Sequence, residues 1–316
     1  MTQLSLEKNN QNKARSQTEK TIDRIFKGLT YLFAFSVIAI LVWIAIQVAL
    51  QAKPAIAEFG LGFLTSTSWN PPEQNYGILP AVYGTVVSSF IALLIAVPIG
   101  LASAIILSEN FLPLSIRRSL VFLVELLAAI PSVVYGLWGI YVLIPFLKPI
   151  GSWLHNTLGW IPLFSTSYIG PGMLPAGIIL SIMILPILTT IARDSLAAVP
   201  PELRSGSYGV GATRWQTMFS VLIPAAFSGI VGGIMLALGR ALGETMAVTL
   251  VIGNSNNLDV SLLAPASTIA SLMANQFSEA ADLQKSALLY AGLVLFAITL
   301  IVNILAEFII SKVKKY

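Results

Sequence analysis

Six stretches of this 316-residue chain are apolar over enough length to cross a bilayer, and that limits the fold before any motif is considered. A bilayer core asks for about 20 such residues in a row. The stretches fall near 29–50, 80–107, 119–147, 173–192, 221–252 and 287–311. They predict an all-α polytopic membrane protein with six spans. The composition agrees, with 56% hydrophobic and 10% charged residues, where a soluble domain carries about 25% charged. The third and fifth stretches are long and interrupted by Pro or Gly, so their helices are expected to tilt, bend or continue past the lipid.

Basic residues set the orientation. With the N-terminus inside, the inner segments hold Lys8, Lys13, Arg15, Lys20, Arg24, Lys27, Arg117, Arg118, Arg193, Arg204, Arg214, Lys312, Lys314 and Lys315. The outer loops hold only Lys53, Lys148 and Lys285. Fourteen against three predicts that both termini are cytoplasmic. Residues 1–28 read as a polar cytoplasmic tail. They are not a signal peptide, because the apolar run that follows is too long and lacks a small-residue cleavage site. The net charge of +4 therefore points to the membrane's inner face rather than to nucleic acid. Among the outer loops, 51–79 carries Trp69, Asn70 and Tyr76, and 148–172 carries Trp153 and Trp160. Such aromatics serve either as interfacial anchors or as a docking face for an external partner. The third outer loop, 253–286, reads as a polar segment with Asn254, Asn256 and Asn257.

The missing motifs narrow the function. The chain has no cysteine and one histidine, His155, which reads as a solvated loop residue. No G-x-x-x-x-G-K-[ST], H-E-x-x-H, G-x-S-x-G or G-x-G-x-x-G occurs. Acidic residues do not cluster as a divalent cation needs. The chain is expected to bind no cofactor or metal of its own and to catalyse nothing alone.

Four charges stand inside the apolar segments, of which Glu307 lies about one turn from the basic C-terminus and reads as paired there. Arg240 and Glu244 lie four residues apart in 221–252, and Glu125 lies in 119–147. A charge at the bilayer centre costs about 2.5–3.5 kcal/mol. An intrahelical salt bridge would be the bland explanation, but Arg before Glu is the weaker i,i+4 order. A buried pair is also poor support for stability. The alternative is a substrate pathway. Arg240 offers a planar fork matched to oxyanions. Glu244 could orient it, or accept a hydrogen bond from a protonated oxyanion, which a fully ionised one cannot offer. Glu125 reads as a partner for Arg240, a second pathway residue or an interfacial charge. Gly229, Gly233, Gly239 and Gly243 line the same segment, as close packing within the bundle or against another membrane chain would require.

The inner loop 193–220 is too polar to span and too patterned for a linker. Pro200 and Pro201 can start a short helix and Gly211 can end one. Two short helices there would form a lever that another protein could grip. Gly211, with Pro224 thirteen residues later behind an apolar residue, resembles the cytoplasmic loop of ABC importer permeases. That loop's pattern begins E-A-A, places Gly six residues after the Glu, and continues to I-x-L-P. Here Ser205-Gly206-Ser207 stands at the triplet, Glu202 lies three residues earlier, and Gly211-Ala212-Thr213-Arg214-Trp215 matches well. Three more segments resemble the phosphate-specific branch, the PstC-type permeases. They are Pro131-Ser132-Val133-Val134-Tyr135-Gly136, then Trp69-Asn70-Pro71 with Tyr83-Gly84-Thr85, and Gly239-Arg240-Ala241-Leu242-Gly243-Glu244-Thr245.

The resemblance implies the type I ABC importer permease fold, with a five-helix core of spans two to six over 80–311 and a peripheral first helix at 29–50, and transport of inorganic phosphate by alternating access. It implies a bacterial inner-membrane assembly with a second, PstA-like permease. A PstB-like ATPase dimer would hold ATP and magnesium, and a PstS-like extracytoplasmic protein would deliver phosphate. Glu202, Ser205, Gly206, Gly211, Ala212 and Pro224 would then form the ATPase-coupling loop, and Trp69, Asn70 and Tyr76 a docking site for the binding protein. The competing readings are a permease for molybdate or sulfate, an ion-coupled secondary transporter, and a membrane enzyme of lipid metabolism. The second would often show an inverted repeat, and none is visible.

Overall fold

The computed structural model describes residues 17–109 and 111–313. The sequence-based expectations for residues 1–16 and for Lys314 and Lys315 fall outside these. Six helices have the length and apolar composition to cross a membrane: Lys20–Phe59, Leu79–Ser108, Ser132–Leu158, Met173–Ala197, Arg214–Gly243 and Asp282–Lys312. The chain divides into two compact units, residues 1–50 and 51–316.

Helix α1 (Gln17–Phe59) runs for 43 residues, about 65 Å at 1.5 Å per residue. It therefore begins inside the segment expected to be a polar tail and ends past the expected span. In the first unit it is a lone helix whose apolar side chains, Phe33, Phe35 and Trp43 among them, are exposed.

In the second unit the core is made by α2 (Leu79–Ser108) and α5 (Met173–Ala197), spans two and four. Small residues let the two backbones approach. A Cβ on Gly177 would meet Ile91 at 2.5 Å, and one on Gly100 would meet Leu188 at 2.8 Å. Ala92, Ala96, Ala104, Ile179, Ile184 and Ala192 are fully buried along these helices. The span expected at 119–147 is in fact two helices. Pro131 has no N–H to continue a helix and disfavours the helical region for the residue before it. The chain accordingly stops at α3 (Leu114–Ala128) and restarts with Pro131 as the extended cap (φ −59°, ψ 140°) of α4 (Ser132–Leu158). Helix α3 buries no residue, and all of the third spanning helix lies after the break.

The short helix α6 (Pro201–Gly209) precedes α7 (Arg214–Gly243), the fifth span, which ends at Glu244 in extended backbone (φ −68°, ψ 121°). Helix α8 (Met246–Val251) follows, so the stretch expected as one span over 221–252 is also broken. Inside α4 and α7 lie two five-residue π turns, Gly139–Leu143 and Met218–Leu222. Each stands directly before an Ile-Pro pair, Ile144-Pro145 and Ile223-Pro224. A proline inside a helix loses one hydrogen bond and pushes its ring against the carbonyl four residues back. The wider π turn relieves that clash, with the Ile144 N–H donating to Gly139 O and the Ile223 N–H to Met218 O.

The segment after α8, up to α9 (Ile269–Gln276), was expected to be part of a polar outer loop. It instead packs inward, with Ile252, Ser261 and Leu263 fully buried. Its carbonyls cap the start of α5, accepting from Met173 N (Ala264 O, 3.2 Å) and Leu174 N (Leu262 O, 2.9 Å). Ile269 N donates to Thr85 Oγ1 at 2.9 Å, which ties the segment to α2. The last helix, α10 (Asp282–Val313), carries the sixth span. Apart from the two-residue strands β1 (Trp69–Asn70) and β2 (Asn75–Tyr76), the elements among the described residues are helical.

Gly84 is the tightest point of this outer layer, because a Cβ there would be driven into the Ser267 carbonyl oxygen. Gly84→Ala is expected to cost about 1–3 kcal/mol and to lower the midpoint of thermal unfolding in detergent, followed by tryptophan fluorescence. Gly62→Ala, with open space around it, should stay within about 0.5 kcal/mol of the parent.

Candidate functional site

The fifth span carries Arg240 in its last turn. The break at Gly243 changes the expected pairing. Glu244 is no longer helical, so the intrahelical Arg240–Glu244 contact that i,i+4 spacing would allow does not form. Glu244 Oε1 instead accepts from Ala247 N at 3.3 Å, satisfying a free amide at the start of α8. Among the described residues the Arg240 guanidinium has neither a hydrogen bond nor an ion pair. It stands exposed on the open side of α7, beside a groove of about 640 Å³ lined also by Ile187, Met235, Leu236, Gly239 and Asn303.

The four glycines of this span separate into two pairs. A Cβ on Gly229 would collide with Ser195, and one on Gly233 would meet Ile191 at 3.0 Å, so this pair packs on α5. Gly239 and Gly243 have nothing within 4 Å and share the open side with Arg240. Glu125 does not join them. It lies on α3 rather than in a span, with its side chain 57% exposed, 4.0 Å from Arg193 at the end of α5. Arg193 is bound more closely to Asp194, at 2.8 Å.

The inner loop has the expected short helix and a second helical start. Pro200 is the extended cap of α6 and Pro201 its first residue. Gly211 takes φ +85°, a left-handed conformation that other residues adopt at a cost. Thr213 and Gln216 close a capping box that opens α7. Ser205 Oγ turns back onto the Pro201 and Glu202 carbonyls, 3.2 Å each. Glu202, one turn earlier on the same exposed face, keeps its carboxylate toward solvent. Ala212 N donates to Ser207 O, and Pro224 is the proline behind the π turn. Trp215 is exposed and stacks on Phe219, with centroids 5.9 Å apart.

Sequence reasoning missed the polar links of this loop. Arg204, counted there only as a basic residue, pairs with Glu109 at 3.1 Å and donates to Leu196 O at 2.7 Å. Ser207 Oγ meets Thr217 Oγ1 at 2.9 Å. Glu109 and Arg204 are 95 residues apart in sequence, and no local pattern signals their meeting.

In the loops expected to face outward, Tyr76 points into the protein. It is 2% exposed, edge-on to Phe59 and Trp69, and burial pushes its phenol above its ordinary pKa. A side chain so covered offers a partner almost no surface. Trp69 is half-buried, its indole N–H held by Gln276 Oε1 at 2.8 Å, and Asn70 pairs with Asn75 across the hairpin. Trp160 is the prominent aromatic there, 80% exposed. His155, expected in a loop, sits in α4 with Nδ1 3.1 Å from Phe164 O.

Comparison with known proteins places this geometry. Residues 96–315 match the family described as binding-protein-dependent transport system inner membrane component. The chain is 46% identical over 297 residues to the phosphate transport system permease protein PstC of Mesorhizobium japonicum, covering 92% of this chain and 90% of that one. Its identity to the protein of the same name from Haemophilus influenzae is 43% over 309 residues, covering 96% and 98%. Among solved structures it resembles a chain of a bacterial alginate ABC transporter (TM-score 0.55, 18% identity, 92% of this chain and 96% of that one). It also resembles a chain of the inward-facing MetNI methionine ABC transporter (TM-score 0.52, 18% identity, 75% and 94%). At that identity the two structures speak for the fold, that of type I ABC importer permeases, and the sequence relatives for the branch. The chain belongs to the binding-protein-dependent transport system inner membrane components and, within them, to the PstC-type permeases.

Proposed function

We propose that this chain is one permease half of an ATP-driven importer of inorganic phosphate. The observation that carries the reading is the unpaired Arg240 guanidinium on the open, glycine-lined side of the fifth span, in a chain 46% identical to a phosphate transport permease. A charge that costs about 2.5–3.5 kcal/mol to place in a membrane and has no carboxylate partner among the described residues needs an anion, and a guanidinium binds phosphate oxygens in a bidentate fashion. The open side formed by Gly239 and Gly243 suits close approach of a second, PstA-like permease, with the pathway running between the two halves.

The energy source is a partner. An ATPase dimer of the PstB kind would hold ATP and magnesium and grip α6, with Glu202 presenting the carboxylate that the family carries one turn later, where this chain has Ser205. A PstS-like binding protein would deliver phosphate to the outer face, with Trp69 and Asn70 at the edge of its docking surface and Tyr76 supporting them from inside. In this reading residues 1–28 and the C-terminus are cytoplasmic, the first helix is peripheral, and the permease domain spans 80–311 in the bacterial inner membrane.

Glu244 adds selectivity. One carboxylate oxygen holds the Ala247 amide, and the other can accept a hydrogen bond from a protonated phosphate, whereas fully ionised sulfate meets only repulsion. In transporters reconstituted with their partners, Glu244→Gln should raise the competition of sulfate against labelled phosphate uptake by about tenfold, the ratio that about 1.4 kcal/mol represents. Unchanged competition would remove Glu244 from the selectivity role. Arg240→Lys should cut phosphate uptake by at least about tenfold, because an ammonium cannot form the bidentate pair. Gly211→Val should strain the turn after α6 by about 1–2 kcal/mol and abolish uptake while the chain stays in the membrane. Normal uptake in that variant would detach the loop from the transport cycle.

A further inference from the structure

We infer that Arg204 is the positioning residue through which the coupling helix α6 moves spans two and four, with Glu109 as its anchor on span two. The inference rests on reading α6 as the grip of the ATPase. Helix α6 buries no residue, so apolar packing holds it to the bundle only weakly. What ties it down is polar. Arg204 Nη2 donates to Leu196 O at 2.7 Å and Nη1 to Val199 O at 3.2 Å. Its Nε donates to Glu109 Oε1 at 3.2 Å, and Nη2 lies 3.1 Å from the same oxygen.

Leu196 and Glu109 stand at the cytoplasmic ends of core helices, and Val199 follows two residues after the end of α5. Leu196 lies in the last turn of α5, where carbonyls lack intrahelical donors and a cation is favoured. Glu109 caps the end of α2. One guanidinium therefore joins α6 to the two helices whose packing forms the membrane core. At the other end of α6, Ser207 meets Thr217 at 2.9 Å, immediately before the π turn of the fifth span. The Arg204 and Glu109 side chains are 22% and 16% exposed, so bulk salt screens their attraction little. They stand at the edge of a cavity of about 210 Å³ lined also by Phe111, Tyr208, Met218 and Leu222. Across that cavity, force from α6 to α2 passes through the pair rather than through packed side chains.

The geometry needs arginine. Three guanidinium nitrogens at fixed angles reach two carbonyls and a carboxylate at once, and a lysine ammonium cannot reproduce the fork. The test measures phosphate uptake and ATP hydrolysis in the same proteoliposomes containing the whole transporter. Arg204→Lys is expected to keep ATP hydrolysis within about twofold of the parent while phosphate transported per ATP falls about tenfold, within the range of ordinary coupling energies. Glu109→Gln keeps both carbonyl bonds, and with them the fold of the loop, so it tests the link to span two alone. It should lower the same ratio without changing the amount of assembled transporter. A ratio unchanged in Glu109→Gln, or uptake and hydrolysis falling together in both variants, would overturn the inference. A parent transporter with no ATP-driven uptake would instead overturn the importer reading on which it stands.

Discussion

Every amide inside a bilayer needs a partner, because lipid offers none, and this chain places prolines where that demand is hardest to meet. Pro131 ends α3 and starts α4, and Pro145 and Pro224 each stand behind a π turn. The three proline sites set the course of the third and fifth spans. Spans two and four also contain prolines, Pro98 and Pro186, yet run unbroken from Leu79 to Ser108 and from Met173 to Ala197. The difference lies in packing. Spans two and four are held together through Gly100, Gly177 and buried alanines along their length. The spans with π turns keep much of their surface open.

The breaks decide what the intramembrane charges can do. Had 221–252 been one helix, Arg240 and Glu244 would have shared a face and could have neutralised each other. Ending α7 at Gly243 sends the carboxylate to the amide of Ala247 and leaves the guanidinium without an acceptor among the described residues. Two weakly helical glycines in the last turns and a carboxylate able to cap the next helix are enough to produce that split. A salt bridge would have made the pair inert. Separated, the carboxylate has one oxygen engaged by the Ala247 amide, and the guanidinium stands exposed on the open side of α7.

Much of the fold was legible in the sequence, and what was not has identifiable causes. Spans two, four and six were visible because continuous hydropathy is what a bilayer demands of them. The breaks at Pro131 and Gly243 were hidden because an apolar run reads the same whether its helix continues or restarts. That error put Glu125 in a span, whereas it lies on α3 near Arg193. Arg240 stood out in the sequence because a charge in an apolar segment is conspicuous by itself. Tyr76 was misjudged because an aromatic residue in an outer loop gives no sign of which way it points. Arg204 and Glu109 were passed over because each looks like an ordinary loop charge, and only the fold brings them together.

The fifth span joins the two regions that matter. It begins at Arg214, beside the polar links of α6, and carries Arg240 near its far end. From Ile223 to Arg240 the helix extends about 25 Å at 1.5 Å per residue. The π turn Met218–Leu222 stands between the two ends, at the one place where the helix's hydrogen-bond register is already widened. A tilt of about 10° at that turn would carry a guanidinium about 25 Å away through about 4 Å, comparable to the one-turn and smaller helix shifts by which packed proteins switch. Arg204 and Thr217 lie on the loop side of the turn and Arg240 on the membrane side. Helix α6 and Arg240 are thus joined by a single stretch of backbone, with the π turn and Pro224 standing between them.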